Sequence, residues 1–342
     1  MKSIGAIVST AVLLWGCGLV PDNEPGATAL GLDYCLSCGP GCETEGEICP
    51  PADPDSIMDG LSMGDPPCCV MLGRDLIDAA YAWITHYNDG TVSKIDLRSG
   101  ECIARYRVGL WGTSTDFASR TAVDGNGNVY IVNRAFASTG SVTKIAGDPR
   151  YCYSGADGIL QTSTSCDDVF APDTDECVLW TRPLPEAGIC SQGSLNAVVI
   201  DFGDSDHREG YPWVGSMCNN TFYRLDPDRG NVLDTVEIDI SPFGAVMDSE
   251  GWVWSTCYGC GDGAIQAFRS QTKVKGPIIS KPRGICGPGW GYGITADLED
   301  RIWIGSWHDP EGKPCRFDPL AHTWFAPPGD DIECAGHLGI AA

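Results

Sequence analysis

The side chains able to do chemistry fall at a few places along the 342-residue chain. His86 and His308 are the candidate acid–base residues, and Asp309 and Glu311 lie close enough to His308 in sequence to orient its ring. Without such a carboxylate in reach, each is a loop histidine that touches water. Asp201, Asp204, Asp206 and Glu209 gather hard oxygen ligands in one short stretch, a pattern that could hold calcium. The run DGNGN (124–128) opens like a calcium loop but lacks the distal bidentate Glu, and it also suits a tight hairpin turn. Cys257 and Cys260 have the spacing of a redox pair, yet no helix follows to lower a thiol pKa, so a structural bridge is expected. Nucleophile-elbow, phosphate-loop and His-Glu-x-x-His patterns are absent from the sequence.

Eleven tryptophans offer stacking surface. Trp213, Trp252, Trp254 and Trp303 recur at equivalent positions and are expected to pack inside the fold. Trp111, Trp290 and Trp307 stand off that register. Together with Arg134 they form the expected ligand-binding set.

Charge and cysteine content bound the partners and the compartment. The balance of 22 basic against 46 acidic residues, net −24, would repel a phosphate backbone or an anionic bilayer, so nucleic acid is excluded as a partner. The opening MKSIGAIVSTAVLLWG (1–16) joins one Lys to an apolar run too short to span a bilayer, as a signal peptide does. The run LWGC (14–17) resembles a lipobox, with Trp15 unusual inside it, and predicts lipid on Cys17. An ordinary cleaved secretory signal gives the same export. Eighteen cysteines fit an oxidising envelope. Removing Cys17 from bridging leaves an odd number, so one thiol is free or its partner lies elsewhere. Residues 17–72, rich in Gly, Pro and acidic residues, hold Cys35, Cys38, Cys42, Cys49, Cys68 and Cys69. They read as a disulfide-stapled irregular spacer rather than a zinc site, since no His lies among them.

From about residue 73 a strand–turn–strand pattern recurs: TAVDGNGNVY (121–130), GAVMDSEGWVW (244–254) and GITADLEDRIW (293–303), with a looser copy opening at AVVID (197–201). A third strand follows each, as in TVSKIDLRSG (91–100), SVTKIAGD (141–148), TFYRLDPDRG (221–230), AIQAFRSQTK (264–273) and PCRFDPLAHT (314–323), and then a fourth. The recurring aspartate stands at 124, 201, 248 and 297. Four short strands in each period of about 45 residues predict an all-β fold, a β-propeller of four-stranded antiparallel blades over residues 73–342. A single blade cannot bury both its faces, so blades must stack in a ring. About five blades are present. The segment GHLGIAA (336–342) matches the opening of a further repeat, which predicts a ring truncated in mid-strand. The insertion 147–194 carries Cys152, Cys166, Cys177 and Cys190, expected to close it with two bridges.

These turns and third strands resemble the streptogramin lyase (virginiamycin B lyase)-like propellers and the related NHL and YVTN repeats. The resemblance implies a propeller and, in the lyase itself, elimination chemistry by His and Glu with magnesium at the central face. The lyase pattern places Glu at the end of an inner strand, where this chain has His86, Asn133, Ser216, Cys257 and Ser306. A Glu-x-His element is replaced by Ser306-Trp307-His308, so the activity is not carried over. The expected protein is an exported bacterial envelope lipoprotein, held to the membrane only by its lipid. It would act as a non-catalytic binding or scaffolding module for protein or glycan partners, with calcium as the one possible cofactor. The alternative is a lyase or hydrolase working at the central face.

Overall fold

The computed structural model describes residues 81–306, apart from 113, 114, 154, 156, 157 and 172, and residues 313–326, together with the backbone of three short strands near the N-terminus. Those are β1 (Ser9–Thr10), β2 (Leu61–Met63) and β3 (Val70–Leu72). The chain divides into two units. In the smaller, Trp15–Tyr81, β2 and β3 pair as an antiparallel hairpin. Cys17, the spacer cysteines, Trp307, His308 and the segment 336–342 lie outside the described residues.

The larger unit holds five four-stranded antiparallel sheets that pack as propeller blades. Blade 1 is β4 (Tyr81–His86), β5 (Thr91–Asp96) and β6 (Cys102–Arg107), with β1 paired to two residues of β4. Blade 2 is β7 (Ala118–Val123), β8 (Val129–Asn133), β9 (Ser141–Ile145) and β10 (Val178–Pro183). Blade 3 is β11 (Leu195–Ile200), β12 (Pro212–Ser216), β13 (Thr221–Leu225) and β14 (Val232–Glu237). Blade 4 is β15 (Pro242–Met247), β16 (Trp252–Cys257), β17 (Ala264–Arg269) and β18 (Ile279–Ser280). Blade 5 is β19 (Gly291–Ala296), β20 (Ile302–Ser306), β21 (Cys315–Asp318) and β22 (Thr323–Phe325).

Alternation along the second strand of each blade explains the stacking. Val129 and Ile131 of β8 join Trp83, Val92 and Tyr106 of blade 1, while Tyr130 and Val132 join Leu195, Val214 and Tyr223 of blade 3. In β16, Val253 packs with Trp213 and Phe222 of blade 3, and its neighbour Trp254 with Ile302, Ile304 and Phe317 of blade 5. Successive side chains leave a strand on opposite faces, so an unbroken apolar run needs a partner on each side. The aromatic contacts follow the same rule: Trp213 lies 5.1 Å from Phe268 and Trp254 lies 5.8 Å from Phe317.

The recurring aspartate pins the turn between the first and second strands. Asp248 accepts from the backbone N–H groups of Glu250 (3.1 Å) and Trp252 (2.8 Å) and from the indole of Trp254 (2.7 Å). Asp297 does the same with Glu299, Arg301 and Trp303. Asp201 keeps the pattern across its longer turn, accepting from Gly203, Tyr211 and the indole of Trp213. In blade 2 the hydroxyl of Tyr130 stands in for the indole on Asp124. The Asp-to-Trp spacing in the sequence is therefore a hydrogen-bond requirement, because a buried indole N–H needs an acceptor. The titration of the carboxyl reverses within this motif. Burial pushes Asp248 up despite its indole and backbone donors. Burial acts the same way on the more exposed Asp297, but the Trp303 indole, the backbone N–H groups of Arg301 and Glu299 and the Arg301 guanidinium together outweigh it and hold that carboxyl below its ordinary value.

Among the described residues five disulfides join Cys102–Cys166, Cys152–Cys177, Cys190–Cys218, Cys257–Cys260 and Cys286–Cys315, the pattern of an oxidising, extracytoplasmic environment. One bridge, not two, closes the insertion on itself. Cys166 reaches instead to β6 of blade 1, and Cys190 to the loop after β12. The range 147–194 also contains β10, the fourth strand of blade 2. Part of the insertion lies along the outer edge of blade 1, where the Ser163 hydroxyl accepts the backbone N–H of Arg105 (2.8 Å). An edge strand is thereby capped rather than left open to another chain. Among the described residues no helix is long and apolar enough to cross a membrane.

Asp248→Ala would leave two backbone donors and one indole without their acceptor, and should cost about 2–4 kcal/mol of stability by urea unfolding. Asp248→Asn, which keeps one acceptor, should cost less. The double variant Cys102→Ser/Cys166→Ser opens a loop spanning 64 residues of sequence and should lose about 2–4 kcal/mol. Limited proteolysis of that variant should cut first within residues 155–175, whereas the parent chain should resist at the same protease dose.

Candidate functional site

The two ends of the ring differ. One end carries the aspartate turns. The other gathers the loops that follow each second strand and the connections between blades. At this second end a belt of hydrogen bonds crosses the blades. Thr85 donates to the Ser119 carbonyl (2.7 Å), the Ser119 hydroxyl to Asn196 Oδ1 (2.6 Å), and Asn196 Nδ2 to the Phe243 carbonyl (2.7 Å). Arg120 completes it by donating from Nη2 to the Tyr292 carbonyl of blade 5 (2.8 Å). Four residues before the recurring aspartates stand Arg120, Ala197, Gly244 and Gly293. Arg120 is the one long side chain in this row of otherwise small residues. Each of these first strands carries a bulge near the same level, which turns side chains toward the centre.

Around Arg120 and Arg134 lies a shell of aromatic rings, with Phe243 buried and Phe136, Tyr258, Trp290 and Tyr292 half-buried. The Arg120 guanidinium sits over Phe243 (5.1 Å) and Tyr292 (5.0 Å), and that of Arg134 over Phe136 (4.6 Å), Phe243 (5.5 Å) and Tyr258 (5.7 Å). Trp290 stands edge-on to Tyr258 with centroids 4.7 Å apart, and Tyr87, Phe117 and Phe136 form a second group. Burial lowers the pKa of both arginines, and the charge of Arg134 lowers that of Arg120 further. Cation–π contact with a partly desolvated ring returns about 1–2 kcal/mol of that penalty.

The loop that presents Arg134 is clamped from both sides. Its backbone N–H donates to the Phe117 carbonyl (3.0 Å), and its carbonyl accepts from Ser194 (2.7 Å), in a segment anchored by Cys190–Cys218. Gly193 has φ +91°, and a Cβ there would lie 2.4 Å from Arg134 Cγ, so only glycine lets the arginine stem pass. Phe117, Ala135 and Ala137 all adopt positive φ in the two loops that frame the cluster. Such backbone is unfavourable for residues with a side chain and gathers where surrounding contacts fix a site.

Of the expected residues, the structure brings Arg134 and Trp290 into this cluster. Trp111 is 64% exposed in the connection between blades 1 and 2, its backbone N–H donating to Asp116. His86, at the end of β4, turns to Ser93, with Nε2 2.7 Å from the hydroxyl. Burial first, and then the charge of Arg105, lowers its pKa, against a smaller upward pull from Asp89. No carboxylate hydrogen-bonds its ring among the described residues. Asp201, Asp204, Asp206 and Glu209 lie at the opposite end and do not converge on one point. Asp201 is engaged by its turn and by Arg224 Nε (2.9 Å), and Asp204 accepts from Asp206, His207 and Tyr211. The ligand atoms that do fall within 4.8 Å of one another belong to His207, Glu209 and Asp228. That end also has an open hollow of about 530 Å³ between the first strands of blades 2 to 4.

Tyr87 and Tyr258 are cluster members outside the expected set, whereas Arg134 was within it. The positions just past His86, Asn133 and Cys257 are Tyr87, Arg134 and Tyr258, all members of the cluster. Arg120 was legible only by aligning the first strands, where it breaks a row of small residues.

No protein-family model matches the sequence, and no curated protein matches it. Among solved structures, the chain is similar to the hydrazine synthase of Kuenenia stuttgartiensis at 9% identity, covering 74% of this chain and 64% of that one, with a TM-score of 0.49. It is similar to the Pan2 WD40 domain of Neurospora crassa at 12% identity, covering 73% and 62%, with a TM-score of 0.48. The BamB of Moraxella catarrhalis shares 12% identity over 72% and 60%, with a TM-score of 0.41. The chain thus spans less than two thirds of each of these chains. The matched proteins are propellers of low identity, and the likeness concerns fold alone.

Arg105→Gln removes one of the two influences that depress His86. The His86 titration, followed by its ring proton resonances, should move upward in that variant, the more so because Asp89 loses its partner.

Proposed function

We propose that this protein is an envelope-anchored, non-catalytic binding module working outside the cytoplasm, with its partner seated on the arginine–aromatic centre of the propeller. The observation that carries this reading is the cluster itself: half-buried rings and two cations held by clamped loops, on rigid blades. Rings with one face open supply contact area at low entropic cost, and arginine supplies direction. The lipid anchor on Cys17 and the protein or glycan nature of the partner come from the sequence. Calcium at Asp201, Asp204, Asp206 and Glu209 stays a proposal with no convergent geometry behind it.

The second reading, a streptogramin-lyase-like lyase or hydrolase, draws on His86 alone among the described residues. Burial and Arg105 favour its neutral form at pH 7, as a general base requires, and Ser93 rather than a carboxylate holds its ring. A base so placed also needs a reacting group within reach, and no such pairing is described.

Arrays of immobilised glycans and peptides, probed with the mature chain, test the binding reading. Tyr258→Ala and Trp290→Ala should each weaken retention at least about tenfold, equal to 1.4 kcal/mol. Equal retention by parent and both variants would place the binding surface elsewhere on the molecule. A lyase or hydrolase activity lost in His86→Ala would replace this reading with the enzymatic one.

A further inference from the structure

Two cations of the central face rest on no carboxylate among the described residues. Arg120 donates to the Tyr292 carbonyl and Arg134 donates from Nε to the Gln192 carbonyl (2.9 Å), all neutral acceptors. Neither makes an ion pair among the described residues. Arg105, Arg224 and Arg301, by contrast, each rest on a carboxylate. Other arginines, such as Arg107 and Arg182, also rest on carbonyls, but Arg120 and Arg134 do so as neighbours over one ring. They share the ring of Phe243, and Arg120 Nε is buried with no acceptor. A buried donor without a partner is costly, and so are like charges side by side. An anion between them relieves both costs.

We propose that Arg120 and Arg134 form an anion seat for the carboxylate of a small ligand whose body is a ring stacked on Tyr258 or Trp290. This rests on the central face being the binding surface, and names the chemistry that it takes. A planar two-oxygen acceptor matches the guanidinium fork. The net charge of −24 opposes a polyanion at long range, so a ligand with a single charge suits the site better. Uronic acids and aryl carboxylates share the required chemistry.

Isothermal titration of the mature, disulfide-intact chain with glucuronate and benzoate, against their neutral counterparts glucose and benzyl alcohol, separates the outcomes. At least one acid should bind about tenfold or more tightly than its neutral partner, and which acid does so tells sugar from aryl source. Arg120→Gln and Arg134→Gln should each erase that preference while leaving weak binding of the ring. Equal affinity for acid and neutral ring in the parent chain overturns the anion seat but leaves the central face a binding surface. Inorganic phosphate binding as tightly as the better acid overturns the carboxylate assignment. Binding of none of these compounds overturns the seat. It leaves the broader reading to the glycan and peptide arrays, where loss of both variant effects would end that reading too. The acid-against-neutral comparison needs no variant, so a Gln substitution that fails to fold does not spare the proposal.

Discussion

A blade with two apolar faces cannot exist alone, and the rest of this structure follows from that constraint. The second strand of each blade is the clearest case: Val253 and Trp254, one residue apart, belong to different interfaces. Burying both requires a neighbour on each side, and four such requirements in sequence generate a ring of wedges. The aspartate turns serve the same end. A tryptophan placed between blades brings an indole N–H into a dry interface, and the carboxylate at the turn satisfies it while capping the backbone. Stacking energy and hydrogen-bond satisfaction therefore select the same residues at the same spacing.

The ring in turn creates the site. Inner strands brought side by side let Arg120 of blade 2 reach the Tyr292 carbonyl of blade 5. The side-chain belt from Thr85 through Ser119 and Asn196 to Phe243 holds the strands at one level, so the loops above them are presented from a fixed base. Disulfides reinforce this locally. Cys190–Cys218 anchors the segment that clamps Arg134, and Gly193 in that segment is the only residue type that admits the arginine stem. Rigid support around partly desolvated cations and open aromatic faces is the arrangement expected of a preorganised binding surface.

The two ends of the propeller divide their chemistry sharply. Carboxylates dominate the turn end, where most are engaged by backbone N–H groups, indoles or arginines. The loop end holds Arg120 and Arg134, which rest on no carboxylate among the described residues. There they place two neighbouring cations among aromatic rings.

The five third-strand segments, the aspartate positions and the packing tryptophans were all legible in the sequence, because each rests on local periodicity or a short-range hydrogen bond. So was the oxidising compartment, through cysteine number. The insertion was misjudged because bridges that join segments far apart leave no local trace: Cys166 pairs with Cys102 in another blade. The site was half-read for a related reason. Arg134 and Trp290 stood out by type, but Tyr87, Tyr258 and Arg120 gain meaning only when blades distant in sequence converge. The sequence by itself determined the blade, whose contacts are short in range. Only the tertiary structure decided the centre, because what meets there is fixed by the packing of blades distant in sequence and not by any one repeat.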